Sequence, residues 1–187
     1  MFLNNQGTQE NIQYFEDGKT IKAKISLNDK NQRHGETIIY YPNGVIAEKL
    51  QYMNGRLWGE QLTFFQDGKK KEEYKCLNDD KEGVYTSYFD NDSNSIKELL
   101  HYRDGEQNGN QECFYPSTKL QEFRNFVSGS PYGKQKFFWE NGKEKLIYDV
   151  GLDGLPVGEL KRYFENGNLE VLSIFVNGKR NGNQKEI

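Results

Sequence analysis

Two histidines, two cysteines and 28 carboxylates are the residues with which this 187-residue chain could do chemistry. Neither His34 nor His101 has a Cys or a second His at metal-ligand spacing, so both read as surface residues and not as the start of a zinc site. Cys76 and Cys113 occupy places that Tyr, Phe or Ile take in neighbouring copies of the pattern described below. They read as reduced apolar side chains, not as a disulfide or a reactive pair. Asp79, Asp80, Asp90 and Asp92 form a local group of acids whose oxygens would suit a hard cation, but the Gly and distal Glu of a calcium loop are missing. Lys69-Lys70-Lys71 follows a turn and has the composition of a solvated strand end. Glycine is abundant, yet neither P-loop nor Rossmann spacing occurs, and nothing in the spacing isolates two carboxylates as acid and base. The expectation is a protein that is not an enzyme, with no metal and no cofactor.

The elements around these residues repeat. An opening Gly, four variable residues, two adjacent aromatics, one residue, Asn or Asp, and Gly recur from Gly35 to Gly44, Gly59 to Gly68, Gly133 to Gly142 and Gly158 to Gly167. Degenerate copies begin at Gln9, Gly83 and Gly109. A second turn, such as Asn54-Gly55 or Asn177-Gly178, precedes the next opening position. Openings at 9, 35, 59, 83, 109, 133, 158 and 182 give a period of 24 to 26 residues. The units are 9–34, 35–58, 59–82, 83–108, 109–132, 133–157 and 158–181, with a partial unit 182–187, so one repeat domain, 1–187, accounts for the chain. Asn-Gly and Asp-Gly supply the positive φ angles of hairpin turns, and helical spacing of apolar residues is absent. The fold class expected is all-β, an elongated single-layer antiparallel sheet of about seven tandem hairpins. At the usual strand spacing its length would be roughly 70 Å.

If Asn43-Gly44 is a two-residue tip, Gly35 lies opposite Tyr52, Thr37 opposite Leu50, Ile39 opposite Glu48 and Tyr41 opposite Ile46. Bulky residues would then cover the bare opening glycines, as at Gly133 opposite Val150 and Gly158 opposite Phe175. Adjacent aromatics must point to opposite faces. The face with Phe15, Tyr41, Phe65, Phe89, Tyr115, Trp139 and Phe164 is the drier. The other carries Tyr40, Phe64, Tyr88, Phe114, Phe138 and Tyr163 among charges that include Glu36 and Glu60, and these eight residues are the candidate partner-binding set.

These frames resemble the bacterial variant of the MORN (membrane occupation and recognition nexus) repeat, most closely at Gly35 to Gly59 and Gly158 to Gly182, and the resemblance extends over residues 9 to 187. It implies a binding scaffold whose partner is a protein, and for several bacterial proteins of this kind a toxin that an antitoxin or immunity protein neutralises. The alternative is a membrane-associated scaffold binding lipid headgroups. A net charge of -3 and a pI near 5.6 argue against lipid headgroups and against nucleic acid. The Met1 to Asn5 start lacks the pattern of a secretory signal, and no apolar run is long enough to span a bilayer as a helix, so a cytoplasmic location is expected. Three irregularities stand out: Asp79-Asp80 in place of Asn-Gly, a longer turn from Asp90 to Ser95, and Pro116-Ser117-Thr118 in place of a glycine turn.

Overall fold

The computed structural model describes residues 9–186, with side chains described through Asn181; the Met1 to Asn5 start and Ile187 lie outside the described residues. Every described element is a strand, and the strand order of the open antiparallel sheet is the chain order. Contacts divide the chain into two compact units, one running to Asn94 and the other from Ser95.

The first unit holds β1 (Gln9–Tyr14), β2 (Ile21–Leu27), β3 (Arg33–Tyr40), β4 (Ile46–Met53), β5 (Arg56–Phe64), β6 (Lys70–Leu77) and β7 (Asp80–Tyr88). The second holds β8 (Ile96–Arg103), β9 (Glu106–Phe114), β10 (Leu120–Val127), β11 (Ser130–Phe138), β12 (Glu144–Val150), β13 (Pro156–Tyr163), β14 (Leu169–Val176) and β15 (Lys179–Glu186).

The turn after the paired aromatics has three residues, not two. Tyr41 N–H donates to Val45 O at 2.8 Å and Gly44 N–H to Tyr41 O at 2.9 Å, so Pro42-Asn43 make the turn and Gly44, at φ +82°, is the bulge residue. Tyr40 rather than Tyr41 therefore pairs with Ile46. One further residue, Ala47, then bulges out of β4 before Ile39 meets Glu48, and this second shift cancels the first. From there the expected pairs Thr37–Leu50 and Gly35–Tyr52 hold, as do Gly59–Cys76, Gly133–Val150 and Gly158–Phe175. The same two-step correction recurs where Phe64 pairs with Lys70 and Thr63 with Glu72, and where Phe138 pairs with Glu144 and Phe137 with Leu146. In the fifth repeat Thr118, at φ +68°, takes the place of the turn glycine with the same hydrogen bonds.

The opposite edge uses two-residue turns with both φ angles positive, Asn54 (+49°) and Gly55 (+89°) being representative. The irregular copy is Asn78-Asp79, one residue earlier than Asp79-Asp80: Leu77 pairs with Asp80 across it, and Asn78 and Asp79 carry φ angles of +59° and +78°.

The opening glycines owe their identity to backbone conformation rather than to cover by a cross-strand side chain. Their φ angles run from +67° at Gly133 to +99° at Gly109. A Cβ built on Gly59 would meet only the Cβ of Gln51, at an ordinary 3.7 Å. Each sits in a bulge: between the pairs Leu50–Gln61 and Tyr52–Leu57, Gln51 alone faces Trp58, Gly59 and Glu60. An L-residue pays for a left-handed conformation there, and Gly does not.

Candidate binding surface

The bulge at each opening glycine leaves one residue of the neighbouring strand outside the ladder, and a side chain takes over its backbone bonds. Gln61, fully buried, donates from Nε2 to Gln51 O at 3.1 Å and accepts from Gln51 N–H at 3.1 Å. Gln111 does the same for His101, at 2.9 Å in both directions. Gln135 donates to Asn125 O at 3.1 Å. Thr37 holds the equivalent place in the second repeat, is fully buried, and is too short to form the clasp; its Oγ1 has no partner. These residues, with Leu50 and Cys76 in the first unit and Phe126 and Val150 in the second, make the buried side of the sheet. It is the side that carries the second aromatic of each pair. Composition alone pointed to this as the drier face, but not to its dependence on buried glutamine. The signal was present as Gly-x-Gln at 59–61, 109–111 and 133–135.

The second aromatics also link successive repeats. Tyr41 Oη donates to Phe64 O at 2.8 Å, Tyr115 Oη to Phe138 O at 2.9 Å, and Trp139 Nε1–H to Tyr163 O at 3.1 Å. Turn asparagines add Asn43 Nδ2 to Gln66 O at 3.1 Å and Asn141 Nδ2 to Glu165 O at 2.8 Å. These rings and amides hold neighbouring hairpins in step.

The other face carries the predicted set. Tyr40, Phe64, Tyr88, Phe114, Phe138 and Tyr163 all end their strands and are half-buried, while Glu36 and Glu60 are exposed opposite Gln51 and Lys75. Tyr88 is turned inward on a charge cluster: its Oη donates to Glu73, which also holds Lys70 Nζ at 2.7 Å. Burial, and then the bond to Glu73, pushes the Tyr88 phenol up to about 12. Lys70, and then Tyr88, hold the Glu73 carboxyl below its usual range.

The more exposed apolar side chains of this face lie elsewhere on the strands. Trp58 pairs across with Leu77, they are 41% and 46% exposed, and Met53 and Val84 are comparably open. The register gives two rows side by side, Trp58–Leu77–Asp80 and Glu60–Lys75–Glu82. Next to them is a recess of about 330 Å³ lined by Glu60, Glu73, Tyr74, Lys75, Glu82, Gly83, Val84 and Thr86. Trp58 and Leu77 escaped the sequence reading because they fall just outside the repeat frame.

The remaining chemical candidates disperse. Asp79 and Asp80 precede or open β7, whereas Asp90 and Asp92 follow its end, roughly 25 Å away along a nine-residue strand. Among the described residues no group of three or more His, Cys, Asp or Glu is placed to hold a metal ion. Asn54 N–H donates to His34 Nδ1 at 3.3 Å, and His101 Nδ1 meets Asn110 O at 2.6 Å. Lys69 bonds Asp67 at 3.0 Å. Both cysteines are free; burial, and then Glu122, push the Cys113 thiol up to about 11, away from reactivity.

A succession of antiparallel hairpins, each with a glycine bulge and a bulged aromatic turn, defines a β-hairpin repeat protein. Residues 33–54 and 156–177 match the MORN repeat variant, which supports a MORN-repeat family for the chain. Both matches begin two residues before an opening glycine and end on the Asn of a two-residue turn, so each covers one complete hairpin. No curated protein matches the chain. MORN repeats are in general non-catalytic repeats that bind proteins or membranes.

Proposed function

We propose that this chain is a cytoplasmic protein-binding scaffold that neutralises a bacterial toxin, in the manner of an antitoxin or immunity protein. The observation that carries the scaffold reading is the open strip on one face of the first unit, where Trp58 and Leu77 lie exposed beside rows of charge. Exposed aromatic and aliphatic anchors within a polar rim are the composition of protein interfaces. The strip's residues sit in paired strands and not in a loop, which keeps the ordering cost of binding low. The free thiols of Cys76 and Cys113 suit a reducing compartment.

Lipid headgroups are the second reading, but no observation favours them: the rows beside Trp58 hold Asp80, Glu60 and Glu82 against Lys75 alone. The toxin assignment is tested by expressing the reading frame adjacent to this gene in a host, alone and together with this chain. Growth arrest relieved by the wild-type chain, and less well by Trp58→Ser, is the expected result. An adjacent product that binds the chain but is harmless on its own would remove the antitoxin reading and keep the scaffold.

A further inference from the structure

We propose that Asn177 is a site of spontaneous covalent modification, where the side-chain amide is lost and the residue becomes aspartate and isoaspartate. The chemistry needs Asn followed by Gly. The Gly backbone nitrogen, giving up its proton, attacks the Asn Cγ and closes a cyclic imide while the amide leaves as ammonia. Water then opens the ring on either side, so the net change is uptake of water and release of ammonia, with no oxidant or reductant. Glycine permits the attack because it has no side chain in the way and its backbone angles change at little steric cost. Five turns of this chain carry the pair: Asn43-Gly44, Asn54-Gly55, Asn141-Gly142, Asn166-Gly167 and Asn177-Gly178. Asn108-Gly109 and Asn181-Gly182 lie instead within β9 and β15, where Gly109 pairs with Phe126 and Asn181 with Ile174.

Four of the five turns are held against this step. The attacking nitrogen must leave its place, and its N–H is already bonded: Gly44 to Tyr41 O at 2.9 Å, and Gly55 to Arg33 O, Gly142 to Trp139 O and Gly167 to Phe164 O, each at 2.8 Å. The side chain under attack is held too. Asn43, Asn141 and Asn166 accept the backbone N–H two residues on at 3.0, 2.9 and 2.8 Å, and Asn54 Oδ1 accepts from Asn28 Nδ2 at 3.2 Å. Among the described residues neither the Asn177 amide nor the Gly178 N–H has a hydrogen-bond partner. The reason lies in the preceding hairpin. At the other two-residue turns the second N–H bonds a carbonyl two residues before an opening glycine, as Asp79 does with Leu57 O and Gly129 with Gln107 O. The corresponding carbonyl here belongs to Pro156, next to a longer turn closed by Gly151 N–H to Leu155 O at 2.8 Å. The Leu155 side chain packs against Gly178 in place of that tie, so that a Cβ built on Gly178 would lie 2.9 Å from Leu155 Cβ. An apolar contact leaves the N–H unheld, and Asn177 is exposed to the water that completes the reaction. The product puts a negative charge beside Lys179. As isoaspartate it also lengthens the backbone of the turn across which Val176 pairs with Lys179, so the β14–β15 hairpin loosens as the protein ages.

The test incubates the full chain in mildly alkaline buffer, in parallel with and without urea, and follows aspartate and isoaspartate at each Asn-Gly pair by digestion and mass spectrometry. Circular dichroism checks that the chain in buffer keeps its strand content throughout. In buffer Asn177 should convert at least about tenfold faster than Asn43, Asn54, Asn141 and Asn166, the factor that one hydrogen bond to be broken before the attack imposes. In urea the five rates should converge, because the ties are gone. Asn177→Ser should remove most of the ammonia released by the five turns of the folded chain. Equal rates at the five turns in buffer, earlier conversion at any of the other four, or no conversion at Asn177 would overturn the assignment. The same ranking in urea as in buffer would overturn it as well, since local sequence and not the fold would then set the rate.

Discussion

At the scale of single residues, three positions carry consequences that composition does not announce. Gln61 closes the backbone bonds of Gln51 from a fully buried position, so Gln61→Ala strands a buried donor and acceptor. The loss should be about 1 to 3 kcal/mol in urea unfolding, with faster exchange of the Gln51 amide. Unchanged exchange at Gln51 would show that the clasp contributes nothing. Gly59→Ala should cost about 1 to 2 kcal/mol through its +90° φ angle, whereas the exposed Glu60→Ala should stay within about 0.5 kcal/mol. Equal urea midpoints would refute the conformational account. The Tyr88 phenol, held at about 12, is raised above its ordinary value of 10.0, so its neutral form is favoured in the fold. Its contribution to stability is complete below about 10 and is lost as pH rises through about 12. Absorbance titration should show this late tyrosinate and its absence in Tyr88→Phe. In Glu73→Gln it should move down only part of the way, because burial is the larger cause. Glu73 has the opposite sign: its bonds to Lys70 and Tyr88 stabilise the fold above the ordinary carboxylate range and are lost as pH falls through its depressed value. The paired aromatics and opening glycines were legible as spaced types. The φ angle of Gly59 and the partners of Gln61 were not, because they depend on a bulge formed with a strand from the preceding repeat.

At the scale of elements, the hairpin register was largely readable although one premise behind it was wrong. The Pro42-Asn43-Gly44 turn has one residue more than a two-residue tip, and Ala47 restores the count, so every pair from Ile39 to Gly35 comes out as the simpler turn would give it. Two compensating irregularities leave no trace in residue spacing. The ties between hairpins were hidden for another reason: Tyr41 and Phe65 look interchangeable as aromatics, yet only Tyr41 can donate to the carbonyl of the next repeat, at Phe64. Tyr41→Phe should therefore cost about 0.5 to 1.5 kcal/mol. Phe65→Tyr, which places a hydroxyl at the equivalent position of the next repeat, should be neutral or stabilising by a comparable amount. Thermal unfolding of the two variants checks both signs. A loss from Phe65→Tyr as large as that from Tyr41→Phe would show that packing of the ring, and not its hydroxyl, holds the repeats in step.

At the scale of the molecule, the period of 24 to 26 residues was sufficient to predict an all-β chain of hairpins, because each turn type recurs at a fixed offset from each aromatic pair. The candidate surface was less legible. The open strip lies on the face that carries Tyr40, Phe64 and Tyr88, but those strand-end aromatics are half-buried, and the more exposed apolar side chains are Trp58 and Leu77 near the other turn. Exposure follows from which residues neighbouring strands cover, and periodicity does not report that. The most direct test of the scaffold is photo-crosslinking in the source cells, with a photoreactive residue at Leu77 in one variant and, on the opposite face, at Glu72 in another. The account predicts that Leu77 captures a discrete protein and Glu72 does not. Capture of lipid alone from Leu77, or the same protein captured equally from both faces, would contradict it.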